Sequence, residues 1–166
     1  MRRRRADQEA RRSREFEWFV AGAGGRLLHA CTLLTAEAPD DNPRARRLLT
    51  TALAHTYASW DRLRGEDPYD HARQYLAARF AHGTWHARLG RSRSRREGPL
   101  AALGPQERLV LVLRLYEGFA EEQTAALLGL PAERVRLVCD RATTALLHPP
   151  RQGAPVVGGT TKVVAP

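Results

Sequence analysis

His82 and His86 stand one helical turn apart in HGTWH, a spacing that would aim two imidazoles at one metal ion. No third ligand accompanies them, and the glutamate that a metalloprotease carries between such histidines is absent, so the pair makes a weak metal site. Gly22, Gly24 and Gly25 resemble a phosphate cradle only superficially, because neither a preceding strand nor a following Gly-Lys-Ser/Thr frames them. Cys31 and Cys139 are the two cysteines, far apart in sequence and each on an apolar helical stripe, so they read as reduced core residues. The chemistry with most support is that of arginine. Arg134, Arg136 and Arg141 punctuate AERVRLVCDRA, while Arg73, Arg79 and Arg88 alternate with Tyr69, Tyr75, Phe80 and Trp85. Guanidinium groups pair with phosphates and guanine edges, and aromatic rings stack on unpaired bases. This is nucleic-acid recognition without catalysis; no enzymatic activity, metal or cofactor is expected.

Two helices must hold the first arginine set. EEQTAALLGLPAERVRLVCDRA places Leu-Gly-Leu-Pro between two amphipathic runs. Gly129 can end a helix in the left-handed conformation, and Pro131 suits the first turn of the next, where no amide donor is needed. Val135, Val138, Cys139, Ala142 and Leu146 form one buried stripe, opposed by Thr124, Leu127 and Leu128, while Ala125 is small where the helices must approach closely. The pattern fits a helix-turn-helix, whose second helix typically enters the major groove of DNA, with an ordinary helical hairpin in a bundle as the alternative. At 100° per residue its outer face carries Glu133, Leu137, Asp140 and Thr144, with Arg134, Arg136 and Arg141 on the flanks.

The remaining elements are helical as well. FEWFVAGAGGRLLHACTLLT predicts one kinked helix or two short ones around its glycines. DNPRARRLLTTALAHTYASWDRLRG starts at Asn42 as N-cap with Pro43 behind it, ends at Gly65, and buries Ala45, Leu48, Leu49, Ala52, Leu53, Thr56, Trp60 and Leu63. DPYDHARQYLAARFAHGTWHARLG gives a third helix, aromatic and basic together. GPQERLVLVLRLYEG has the length, Pro105, Glu107 and Gly118 of a buried helix rather than a strand.

Charge divides the chain further. Nearly all of the net +9 resides in residues 1–15 and 86–98, each carrying +4, whereas residues 99–148 carry −1. GRSRSRREG has no apolar residue to offset the entropy of ordering. The fold class expected is therefore all-α: a basic disordered arm (1–15), an N-terminal helical domain (16–89), a basic linker (90–98), a C-terminal helix-turn-helix domain (99–148) and a disordered tail (149–166). No apolar run is long enough for a membrane span or a secretory signal, and the expected location is the cytoplasm.

This plan resembles the bacterial RNA polymerase sigma factors of the extracytoplasmic-function class, within the sigma-70 superfamily. LGPQERLVLVLRLYEGFAEEQTAALLGLPAERVRLVCDRA is similar to the C-terminal domain that binds the upstream promoter element, and FVAGAGGRLLHACTLLT with ALAHTYASWDRL resembles the N-terminal domain. Tyr57, Trp60 and Leu63 match a Tyr-x-x-Trp-x-x-Leu pattern of an actinobacterial subgroup. The resemblance spans Phe16 to Leu147. It implies a transcription initiation factor with promoter DNA and core RNA polymerase as partners, and leaves room for an anti-sigma protein; no membrane partner is implied. By the same resemblance Arg134, Arg136, Leu137, Asp140 and Arg141 would meet the upstream element, and Arg73, Arg79, Trp85 and Arg88 the downstream one. Arg44, Arg46, Arg47 and Thr50 would face the polymerase, where the family more often presents acids and a glutamine. Ala78 stands about where the family carries asparagine. These departures leave a second reading open, a sigma-derived DNA-binding or protein-binding regulator that no longer docks on core polymerase in the usual way.

Overall fold

The computed structural model describes residues 2–63, 65–86 and 97–149, with side-chain detail lacking at Arg2 and at 84–86. All regular structure among the described residues is helical: α1 (Arg2–Thr35), α2 (Pro43–Ser59), α3 (Pro68–His86), α4 (Pro105–Leu111), α5 (Glu121–Leu128) and α6 (Ala132–Leu147). A 3-10 turn, Trp60–Arg62, extends α2, and a π-helical stretch, Val112–Tyr116, continues α4. The all-α class stands.

α1 departs most from expectation. Residues 2–15, read as a solvated arm, are its first turns, and the glycines are traversed without a break. The physical reason lies in packing around Arg12, which sits 4.3 Å over the Tyr57 ring, bonds the Tyr57 carbonyl and lies 3.4 Å from Asp61. Phe16 adds edge contacts to Tyr57 and Trp60 at 4.9 and 5.1 Å, and Arg11 pairs with Glu15 at 2.7 Å one turn on. The Tyr-x-x-Trp pattern of α2 thus anchors the helix that precedes it.

The start of α2 is capped differently from the reading of Asn42. Glu37, buried in the α1–α2 turn, accepts from the amides of Arg44 (3.0 Å) and Ala45 (2.8 Å). Asn42 is buried and turns inward, donating to Thr32 and to the Pro39 carbonyl and accepting from Arg46. A carboxylate at orphan helix amides also complements the positive end of the helix dipole.

The helices before and after the predicted linker share one core. Ala30, Cys31 and Leu34 of α1, Ala45 and Ala52 of α2, and Leu76, Ala77 and Phe80 of α3 meet Leu109, Val112, Leu113 and Phe119 from the C-terminal part. Burial pushes the Cys31 thiol up to about 12, which keeps it protonated. Buried Arg108 of α4 donates to the carbonyls of Leu34 (2.7 Å) and Leu103 (2.6 Å), satisfying the end of α1 from across the interface. Residues 90–96 of the linker lie outside the described residues; Glu97 and Gly98 donate their amides to the Ala36 carbonyl, both at 3.1 Å. The reading of 149–166 as a tail likewise falls outside them from residue 150 on.

Candidate nucleic-acid interface

The helix-turn-helix closes as its punctuation requires. Gly129 adopts φ 64°, ψ 35°, its amide bonds the Ala126 carbonyl (3.4 Å), and the Leu130 amide bonds that of Ala125 (3.0 Å). That pair of bonds is the Schellman arrangement, available to glycine without steric penalty. Pro131 occupies the N-cap position of α6 rather than its first turn. Val135 and Val138 pack with Val110 and Ala125, and Ala142 with Leu103 and Leu111. Thr124 is fully buried, and Leu127 and Leu128 are half-buried. Leu146, expected on the inner stripe, is exposed because α6 outruns the helices that support it.

On the opposite face Glu133, Arg134, Arg136, Leu137, Asp140 and Arg141 all reach solvent. The arginines are not equivalent. Arg136 is paired with Glu121 at the start of α5, at 2.9 and 3.3 Å. The pair raises the guanidinium pKa, through the hydrogen bond first and the charge second, and it offsets a carboxylate that would otherwise face incoming phosphates. Arg134 and Arg141 lie on the other flank, exposed.

The second arginine set is divided. Arg79 is exposed on α3, whereas Arg73 is drawn between the two halves of the molecule. Its guanidinium donates to the Glu117 carbonyl (3.0 Å), lies 3.6 Å from the Glu117 carboxylate and 2.6 Å from Asp70, and covers the Phe119 ring at 4.1 Å. Glu117, nearly wholly buried, also accepts from the Tyr69 hydroxyl at 2.9 Å and sits 3.5 Å from Arg26 of α1. Burial first, and the Glu117 contact second, push the Tyr69 hydroxyl pKa up. Trp85 falls on the last turn of α3, but its side chain, and all of Arg88, lie outside the described residues. Phe80 is buried in the core and offers no face for base stacking, while Tyr75 is half-buried with its ring stacked on His55 (3.9 Å between rings).

At the first turns of α2, Arg46, Arg47 and Thr50 are exposed and Arg44 is half-exposed. Arg46 is steered by its bond to Asn42 (2.9 Å), and the Thr50 hydroxyl donates to the Arg46 carbonyl (2.9 Å). Arg47 and Thr50 thus share the outward flank that their spacing predicts. Among the described residues no group of three or more His, Cys, Asp or Glu side chains could hold a metal ion, and no helix is long and apolar enough to cross a membrane.

Residues 100–147, the unit containing this helix-turn-helix, match the family described as sigma-70, region 4. Over 152 residues the chain is 28% identical to the RNA polymerase sigma-E factor of Streptomyces coelicolor, covering 80% of this chain and 84% of that protein. Residues 100–147 therefore carry a sigma-70 region 4 unit. The sigma-E factor of Streptomyces avermitilis is similar to the same degree, 28% over 152 residues, with 80% and 83% covered. These alignments run through both halves of the chain and agree with its resemblance to the extracytoplasmic-function class. The alternative of a regulator detached from that role is not favoured.

The fold has a likeness in the structure of the anti-anti-sigma factor PhyR complexed with the anti-sigma factor NepR from Bartonella quintana. That match has a TM-score of 0.50 and 16% identity, covers 76% of this chain, and spans only 47% of the other. At that identity it speaks for the fold alone. Sequence reading missed Glu37, Glu117 and Glu121. Only Glu121 left a local trace, as an acid at a helix start; the partners of Glu117 lie 44 and 48 residues away in the chain.

Proposed function

We propose that this chain directs RNA polymerase to its promoters with α6 laid in the major groove of the upstream element and the outer flank of α2 against the polymerase. The observation that carries this is the helix-turn-helix itself: a left-handed Gly129 turn, a buried inner stripe and an outer face wholly open to solvent, within a region that matches sigma-70 region 4. A C-terminal unit of net charge −1 holds DNA poorly alone, so its place on the promoter depends on the polymerase. An anti-sigma protein would be a further partner, and the cytoplasm the site of action.

The α2 flank sets the strength of docking. Arg47 presents a cation where the family more often offers an acid to basic polymerase residues, and like charges brought together at an interface cost several kcal/mol, on the order of a hundredfold in affinity. Binding to core polymerase is therefore expected to be measurable but weaker than that of a family member with an acidic flank. Arg47→Asp combined with Thr50→Gln is expected to strengthen it, most at low salt. Titration of both proteins against one core enzyme at two salt concentrations checks this. Absence of any complex would overturn docking, and loss of binding in the double variant would reverse the sign of the charge argument.

A further inference from the structure

Leu137 is 58% exposed at the centre of the outer face of α6, amid charged neighbours. Along the same ridge, Glu133 lies one turn before it and Asp140 one turn after, both exposed carboxylates. The Thr144 hydroxyl gives its proton to the Asp140 carbonyl at 2.8 Å. Arg136 lies on one flank, engaged with Glu121, while Arg134 and Arg141 share the other. The ridge facing a base edge thus offers acceptor, hydrocarbon, acceptor, and its cations stand to one side.

We infer that this ridge selects pyrimidines on the DNA strand it faces, Leu137 packing against the C5-methyl of a thymine and Asp140 accepting from the N4 amine of an adjacent cytosine. The major-groove edge of guanine presents the acceptors N7 and O6, which a carboxylate repels. Adenine places its N7 acceptor beside its amine, and only thymine carries a methyl group. Residues 137 and 140 are separated by about 4.5 Å along the helix axis, close to the ~3.4 Å step between bases on one strand. Arg134 and Arg141, on a common flank, are placed for that strand's phosphates, which fixes register without reading sequence. This inference rests on the reading of α6 as the upstream-element helix.

Its test removes single methyl groups. Duplexes selected from a random-sequence pool by core polymerase loaded with this chain are resynthesised with uracil for thymine, one upstream position at a time. One substitution is expected to lower occupancy about fourfold, the value of one buried methyl group, and to have no effect on Leu137→Ala. Asp140→Ala is expected to relax the preference for cytosine at the neighbouring position. Both sites are exposed, and thermal melting of each variant verifies that the fold persists. If no uracil substitution matters while Arg134→Ala with Arg141→Ala still weakens occupancy, the pyrimidine ridge is wrong and the reading of α6 survives. If that double variant also leaves occupancy unchanged, α6 does not contact DNA and both fall.

Discussion

Gly129 shows how one residue fixes the geometry on which DNA reading depends. A Cβ added there would meet nothing within 4 Å, so the constraint comes wholly from the φ of 64°. Gly129→Val is therefore expected to destabilise the protein by roughly 1–3 kcal/mol through backbone strain, and Gly129→Asn by clearly less, because asparagine tolerates the left-handed region. Thermal unfolding of the two variants checks the order; equal melting temperatures would mean that the turn relaxes. This residue was legible in sequence because its signal is local: a glycine between two apolar stripes, with Pro131 beyond it. Glu37 was not, since the cap it supplies to α2 comes from seven and eight residues upstream, while Asn42 stood in the expected place.

At the scale of elements, helices were easier to read than their company. The apolar stripes of α2 and α6 announced themselves by period and α4 by its length and terminal residues, whereas the first turns of α1 carried mostly arginines and acids and looked like solvated chain. What orders them is Arg12 on Tyr57, a contact across 45 residues that no local pattern encodes. The α2–α3 pairing carries a second such contact. His71 lies 3.3 Å from His55, the rings near parallel with centroids 5.2 Å apart, and Tyr75 also stacks on His55 at 3.9 Å. Burial first, then the neighbouring His55, pull the His71 pKa below its ordinary 6.5, Arg62 acting in the same sense and Glu66 against it.

A histidine whose folded pKa is depressed binds fewer protons folded than unfolded. Its contribution to stability is complete above about pH 6.5 and is lost as the pH falls through the folded value. Melting temperature is thus expected to drop between about pH 7.5 and about pH 5, and less so in His71→Gln. Parallel slopes for the two proteins would show that other groups carry the acid sensitivity.

Across the whole molecule, the two helical units expected from sequence are joined by more than a linker. Charge and composition mark residues 90–98 as a boundary, and nothing in the sequence tells that Leu109, Val112 and Phe119 pack on α1 and α3, because apolar periodicity shows which face is buried and not against what. Glu117 sits at that junction with its side chain 3% exposed, held by Tyr69, Arg26 and Arg73. Removing the buried carboxylate leaves Arg73 with Asp70 as its acid partner and takes the acceptor from the Tyr69 hydroxyl, so Glu117→Ala is expected to cost about 1–3 kcal/mol. Chemical denaturation is the check, and an unchanged midpoint would place the junction in error. The cluster also holds Arg73 away from solvent, so any contact of Arg73 with the downstream element requires Glu117 to release it.

The central claim is that this chain lends promoter specificity to RNA polymerase through α6, and mapping of transcript 5′ ends tests it most directly. Core polymerase is supplied with fragmented bacterial DNA, with and without this protein, and with Arg134→Ala combined with Arg141→Ala. The account predicts discrete start sites that arise only with the protein, share an upstream sequence, and weaken in the double variant. Start sites that are the same with and without the protein would contradict it.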